Sequence, residues 1–148
     1  MSMILNQFTL DEKQFNELIN QDEEDIFDSV CSIVDDNDGS LEVIDFDQYW
    51  PDFYKLISGN DLQQAQVDEK FFMLFGKDTL FEEDYMRVSF NKDNIKDILE
   101  TLNNLNYDEL ISEYDYLDNE YLEKLFIQVK QLYNKALNEN LYVICFMS

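Results

Sequence analysis

Apolar positions recur along this chain with two periods, and the clearest run is at the C-terminal end. Leu122, Leu125, Val129, Leu132 and Ala136 alternate three- and four-residue steps, flanked by Tyr121, Phe126, Tyr133 and Leu137. That spacing predicts a helix over about Asp118 to Asn138, with an apolar face wide enough for a core helix and too wide for a simple coiled-coil seam. LYVICFM, which follows, is apolar on both alternating faces and predicts a central strand. Upstream, Ile95, Ile98, Leu99, Leu102 and Leu105 line one side of a helix that Asn91 is placed to cap, and a short helix is expected around Asp108 to Tyr114. Tyr85 to Phe90 alternates as a strand, with Met86, Val88 and Phe90 on one face and Arg87, the lone arginine, on the other.

The first half is less regular. Residues 2 to 9 read as an edge or terminal strand. Thr9 and Glu12 have capping-box spacing, so a helix is expected from about Leu10 to Asn20, burying Phe15, Leu18 and Ile19. A second helix over Glu23 to Val34 places Ile26, Phe27, Val30, Cys31 and Val34 on one face, and its leading acids suit the positive end of the helix dipole. Leu41 to Phe46 reads as a strand feeding a helix capped by Asp47, with Pro51 in its first turn and Gly59 as a left-handed stop. Leu62 to Phe75 is read as a further helix, and Gly76 to Asp84 as a loop. Together these elements predict one α+β domain over residues 1–148, with a small mixed or antiparallel sheet of about four strands packed with about five to six helices.

Asp45, Asp47, Trp50, Phe53, Ile57, Ser58 and Gly59 carry a family resemblance. Their spacing resembles the signature of the YfbM-like family of bacterial domains of unknown function: Asp-x-Asp-x-x-Trp, then an aromatic or leucine, a histidine, an apolar residue and Thr-Gly. Tyr54 stands where that family often has histidine, replacing a group that titrates near pH 6.5 with a phenol near pH 10. Met1, Met3 and Ile4 resemble the family's opening, with Ser2 in place of its usual glycine, and residues 88–115 follow a second, less specific segment. The resemblance implies an α+β fold and brings no established activity.

Charge changes the picture most. The chain has 33 acidic and 10 basic residues, no histidine and a formal net charge of -23. Such a surface repels phosphate, which argues against nucleic acid and anionic membranes as partners and leaves a basic protein as the partner that long-range attraction favours. No apolar run approaches the roughly 20 residues needed to cross a bilayer, and no basic-then-apolar leader opens the chain, so the cytoplasm is the expected compartment. Cys31 and Cys145 are expected as buried thiols.

Without histidine, imidazole-dependent triads and histidine-bearing zinc sites are excluded, and three scattered glycines give no phosphate-cradling loop. Asp36, Asp38, Gly39, Leu41 and Asp45 fall at calcium-loop places three, five, six, eight and twelve. The first place would be Val34, which offers no oxygen, so the segment reads as an acidic turn. No cofactor and no metal is called for.

Carboxylate chemistry remains. Asp45 and Asp47 next to Trp50 and Tyr54 are the binding candidates, with Arg87 as a ligand anchor or a structural ion pair. The leading expectation is a non-enzymatic interaction protein, inhibitor- or immunity-like, that masks a basic partner with its acidic surface and aromatic anchors. The alternative is a small carboxylate-dependent enzyme or divalent-metal binder using Asp45 and Asp47 beside Trp50. A homo-oligomer paired through the C-terminal helix is a third.

Overall fold

The computed structural model describes residues 3–36, 39, 41–61, 70–84 and 86–148. Met1 and Ser2 of the family opening, Asp38 of the acidic turn, most of the predicted helix Leu62 to Phe75, and Tyr85 lie outside the described residues.

Five strands form one antiparallel sheet: β1 (Leu5–Leu10), β2 (Ile44–Asp47), β3 (Asp78–Glu83), β4 (Met86–Asn91) and β5 (Tyr142–Met147), in the order β2-β1-β5-β4-β3. The doubly apolar β5 is the middle strand, as its pattern predicts. β1 is not an edge strand, because β2 pairs along its outer side. The fifth strand is β3, in the stretch read as a loop. It is the polar outer strand of a hairpin, with Asp78, Thr79, Glu82 and Glu83 exposed and only Phe81 buried, so it lacks the alternation that signals a half-buried strand.

Among the described residues, six α-helices cover the two faces of this sheet. On one side pack α1 (Glu12–Ile19) and α2 (Glu23–Asp35), which join Phe8, Leu10, Val88, Ile144 and Phe146 in an aliphatic and aromatic cluster. On the other lie α3 (Trp50–Ser58), α4 (Ile95–Asn103), α5 (Tyr107–Ser112) and α6 (Asn119–Glu139), over Leu5, Ile44, Phe46, Val143 and Cys145. A 3-10 turn, Phe72–Phe75, sits on this second face. It is the described part of the predicted helix Leu62 to Phe75. Cys31 packs against the first cluster and Cys145 is buried in the second, so the two free thiols lie on opposite sides of the sheet.

The α6 boundaries and its buried Leu122, Leu125, Val129, Leu132 and Ala136 match the periodicity. The caps differ. α1 is started by Asp11, whose carboxylate accepts from the Gln14 amide at 2.8 Å while the Gln14 side chain accepts from the Asp11 amide at 2.9 Å. Thr9 belongs instead to β1, and Ile19, the last residue of α1, is 40% exposed and not buried as expected. α4 starts after Asn94, not Asn91, whose side chain is fully buried in β4. Gly59 closes α3 at φ +77, as the sequence predicts. Gly76, at φ +110, brings the backbone so close to β4 that a Cβ there would collide with the Ser89 side chain.

Candidate functional site

Asp45 and Asp47 sit on the edge strand β2. Ile44 and Phe46 turn into the core, and Asp45 is exposed between them. Its carboxylate accepts from the Asp47 amide at 2.8 Å. That bond, with Asp47 held in the left-handed region at φ +48, swings the chain from β2 towards α3. Asp47 is therefore not the helix cap. Tyr49 takes that place with no side-chain cap bond, and its amide donates to the Phe46 carbonyl at 2.9 Å.

The aromatic groups beside these carboxylates are Tyr49 and Tyr121, both half-buried, with ring centroids 4.5 Å apart. The Tyr121 hydroxyl donates to the Asp45 carbonyl at 2.7 Å, tying the first turn of α6 to the sheet edge. Asp118, which caps α6 by accepting from the Tyr121 amide at 3.1 Å, brings a third carboxylate to the same ledge. The Tyr121 phenol is pushed above its ordinary range by burial first and then by Asp45, Asp47, Tyr49 and Asp118, since a phenolate here would face several acids. The sequence named Asp45 and Asp47. It did not reveal Tyr49, Tyr121 and Asp118, because only the fold brings the start of α6 to β2.

Trp50 and Tyr54 lie inside. Trp50 is 3% exposed, its ring stands edge-on to Phe75, and its indole N–H donates to the Met3 carbonyl at 3.1 Å. Tyr54 is fully buried against Phe72 and Phe75. Arg87 is elsewhere: the ladder runs Asp47, Leu5, Met147, Arg87 across four strands, which places it about 14 Å from Asp47 at ordinary strand spacing. Its guanidinium donates to the Gly76 carbonyl at 3.2 Å and the Thr79 hydroxyl at 3.1 Å. The structure keeps Asp45 and Asp47 together at the surface, buries Trp50 and Tyr54 in the core, and places Arg87 three strands away.

A second polar cluster is buried where the 3-10 turn meets the sheet. Asn91 donates to the Met73 carbonyl at 2.9 Å and to the Tyr133 hydroxyl at 2.9 Å, and its own oxygen accepts from the Lys77 amide at 3.0 Å. Tyr133 donates to the Leu74 carbonyl at 2.8 Å, as does the Gln7 amide at 2.8 Å, and Ser89 donates to the Phe75 carbonyl at 3.3 Å. Among the described residues the Gln7 side-chain oxygen is buried with no protein partner. Burial pushes the Cys145 thiol up to about 12 and the Tyr133 phenol well above its ordinary value. Both stay protonated at neutral pH, and a protonated thiol is a poor nucleophile. The signal in the sequence is polar residues at inward strand positions, Gln7 in β1 and Ser89 and Asn91 in β4.

Among the described residues no three His, Cys, Asp or Glu side chains converge to hold a metal ion, and no helix is long and apolar enough to cross a membrane. Surface recesses include a groove of about 810 Å³ between α1 and α2 and one of about 460 Å³ beside α4.

The architecture is similar to that of the crystal structure of YfbM, a protein of unknown function from Escherichia coli. The TM-score is 0.67 over 98% of this chain and 99% of that one, at 15% identity, a likeness of fold. No curated protein matches the chain. The model of the family described as Domain of unknown function (DUF1877) matches residues 1–146, and this chain belongs to that family.

Proposed function

We propose that the chain is a non-enzymatic interaction module that masks a basic partner, in the manner of an inhibitor or immunity-like protein. The observation that carries this is the ledge at the β2 edge, where the Tyr49–Tyr121 ring pair is flanked by Asp45, Asp47 and Asp118 on a chain of net charge -23. Half-buried tyrosines give a rigid surface for apolar contact and for a cation over the ring face, and carboxylates around them supply charge complementarity. What favours binding over catalysis is that the aromatics beside these acids are surface tyrosines, while Trp50 and Tyr54 belong to the core.

The test removes charge without removing shape. Asn tolerates the left-handed backbone of position 47 and can still cap α6 from position 118. A variant carrying Asp45→Asn, Asp47→Asn and Asp118→Asn is expected to keep its Tm and to lose a basic protein that the native chain captures from lysate at low salt. Equal capture by the variant, or no basic protein captured at any salt, would remove the proposal.

A further inference from the structure

The groove between α1 and α2 lies on the other side of the sheet from the tyrosine ledge. Leu10 and Leu18, 5% and 3% exposed, form its floor with Ile33, and Glu17, Asp28 and Asp36 stand exposed around it. Among its described lining residues there is no lysine or arginine. Its width is fixed at one end, where the Ser29 hydroxyl donates to the Gln21 side-chain oxygen at 2.6 Å and ties α2 to the chain just after α1. At about 810 Å³ the recess is of the size that holds a ligand group or a few side chains of a peptide.

We infer that this groove is a docking site for a short amphipathic segment of a partner protein, with leucine-like side chains on Leu10, Leu18 and Ile33 and flanking lysines or arginines on Glu17, Asp28 and Asp36. The apolar floor selects against purely polar cations, since charge alone cannot displace water from it. The acidic rim selects against neutral or acidic amphipathic segments, whose approach leaves the carboxylates unpaired or opposed. The inference shares the idea of a basic partner with the reading above but rests on a different face and different residues.

The isotopically labelled full chain is titrated with three synthetic peptides and followed by amide chemical shifts. One is an amphipathic leucine–lysine peptide, one has glutamate for lysine, and one has glycine for leucine. The leucine–lysine peptide is expected to shift amides of α1 and α2. The other two should bind at least about tenfold more weakly, a difference of about 1.4 kcal/mol. A variant with Glu17→Gln, Asp28→Asn and Asp36→Asn should lose about tenfold in affinity, while the Asp45→Asn, Asp47→Asn, Asp118→Asn variant should bind as the native chain does. Equal binding of the glycine–lysine peptide, an undiminished groove variant, or no shifts at all would overturn the inference. Shifts confined to the Tyr49–Tyr121 ledge would overturn it too, and would leave the ledge reading standing.

Discussion

The two faces of the sheet are closed in different ways. Over the face that carries Leu5, Gln7, Ser89, Asn91 and Cys145, four helices and the 3-10 turn Phe72–Phe75 pack down, and the turn's carbonyls are gripped by side chains from β1, β4 and α6. Over the other face α1 and α2 pack, with Leu41 and Val43 beside them, onto Phe8, Val88, Ile144 and Phe146, and the seam between the two helices stays open as the groove. One face adds to its apolar core directional bonds that demand one geometry. The other is held by apolar contact, which tolerates adjustment.

The sharpest way to break this contrast is a pair of neighbouring substitutions in β4. Asn91→Ala removes donors from the Met73 carbonyl and the buried Tyr133 hydroxyl and one of the two acceptors of the Lys77 amide, and is expected to cost about 3 kcal/mol. Val88→Ala, three residues away on the opposite face, deletes two methyl groups from the apolar cluster and should cost about 2 kcal/mol. Their signatures should separate more than their sizes. Hydrogen exchange at Gly76 and Lys77 should quicken in Asn91→Ala, where the turn loses its hold, and stay unchanged in Val88→Ala beyond the global loss. If both variants quicken those amides alike, the polar cluster is not what holds the turn.

This contrast also marks what the sequence could disclose. α6, α4 and β5 announce themselves because their apolar residues repeat over several turns or along both faces of a strand. β3 does not, since an edge strand with exposed Asp78, Glu82 and Glu83 carries the composition of a loop, and its identity depends on pairing with β4. The caps at Thr9 and Asn91 failed for one reason. Each polar side chain is drawn into the sheet, where tertiary burial outweighs a local cap bond; Asp11 caps α1 in place of Thr9, and α4 starts after Asn94 with no side-chain cap bond. The candidate site divides along the same line. Asp45 and Asp47 are separated by one residue in the chain and stay together in space, while Tyr121 and Asp118 join them from more than seventy residues away, and Trp50 and Tyr54 go into the core because α3 buries its aromatic face.

A smaller effect sharpens the polar side. Tyr133→Phe keeps the ring and removes the hydroxyl shared by Asn91 and Leu74, for an expected loss of about 1 kcal/mol at neutral pH. The alkaline limb tells more. Tyr133 and Cys145 both have folded pKa values raised above their unfolded ones, the thiol from 9.0 to about 12. Their contribution is therefore complete below about pH 9 and is withdrawn as pH climbs towards 12, because the unfolded chain ionises first. Urea midpoints measured across that window should fall for the native chain and fall less steeply for Tyr133→Phe. Parallel slopes would mean that the phenol is not shielded as its burial implies.

The smallest effect concerns the open side. Glu17, Asp28 and Asp36 are exposed and face no cation among the groove's described lining residues, on a chain with 33 acids and 10 bases. Mutual repulsion at the rim therefore works against the fold, and added salt relieves it by shortening the reach of each charge. The native Tm should rise by a few degrees from low to moderate salt, and the Glu17→Gln, Asp28→Asn, Asp36→Asn variant should start higher and rise less. Asn91→Ala, by contrast, should show the native salt response, because its loss sits in a buried network of neutral groups that the ion atmosphere does not reach. A rim variant with a lower Tm than the native chain would mean that these three carboxylates hold α1 and α2 together. The groove would then be a stabilised seam, and the two faces of the sheet would differ less in kind than in the number of helices that cover them.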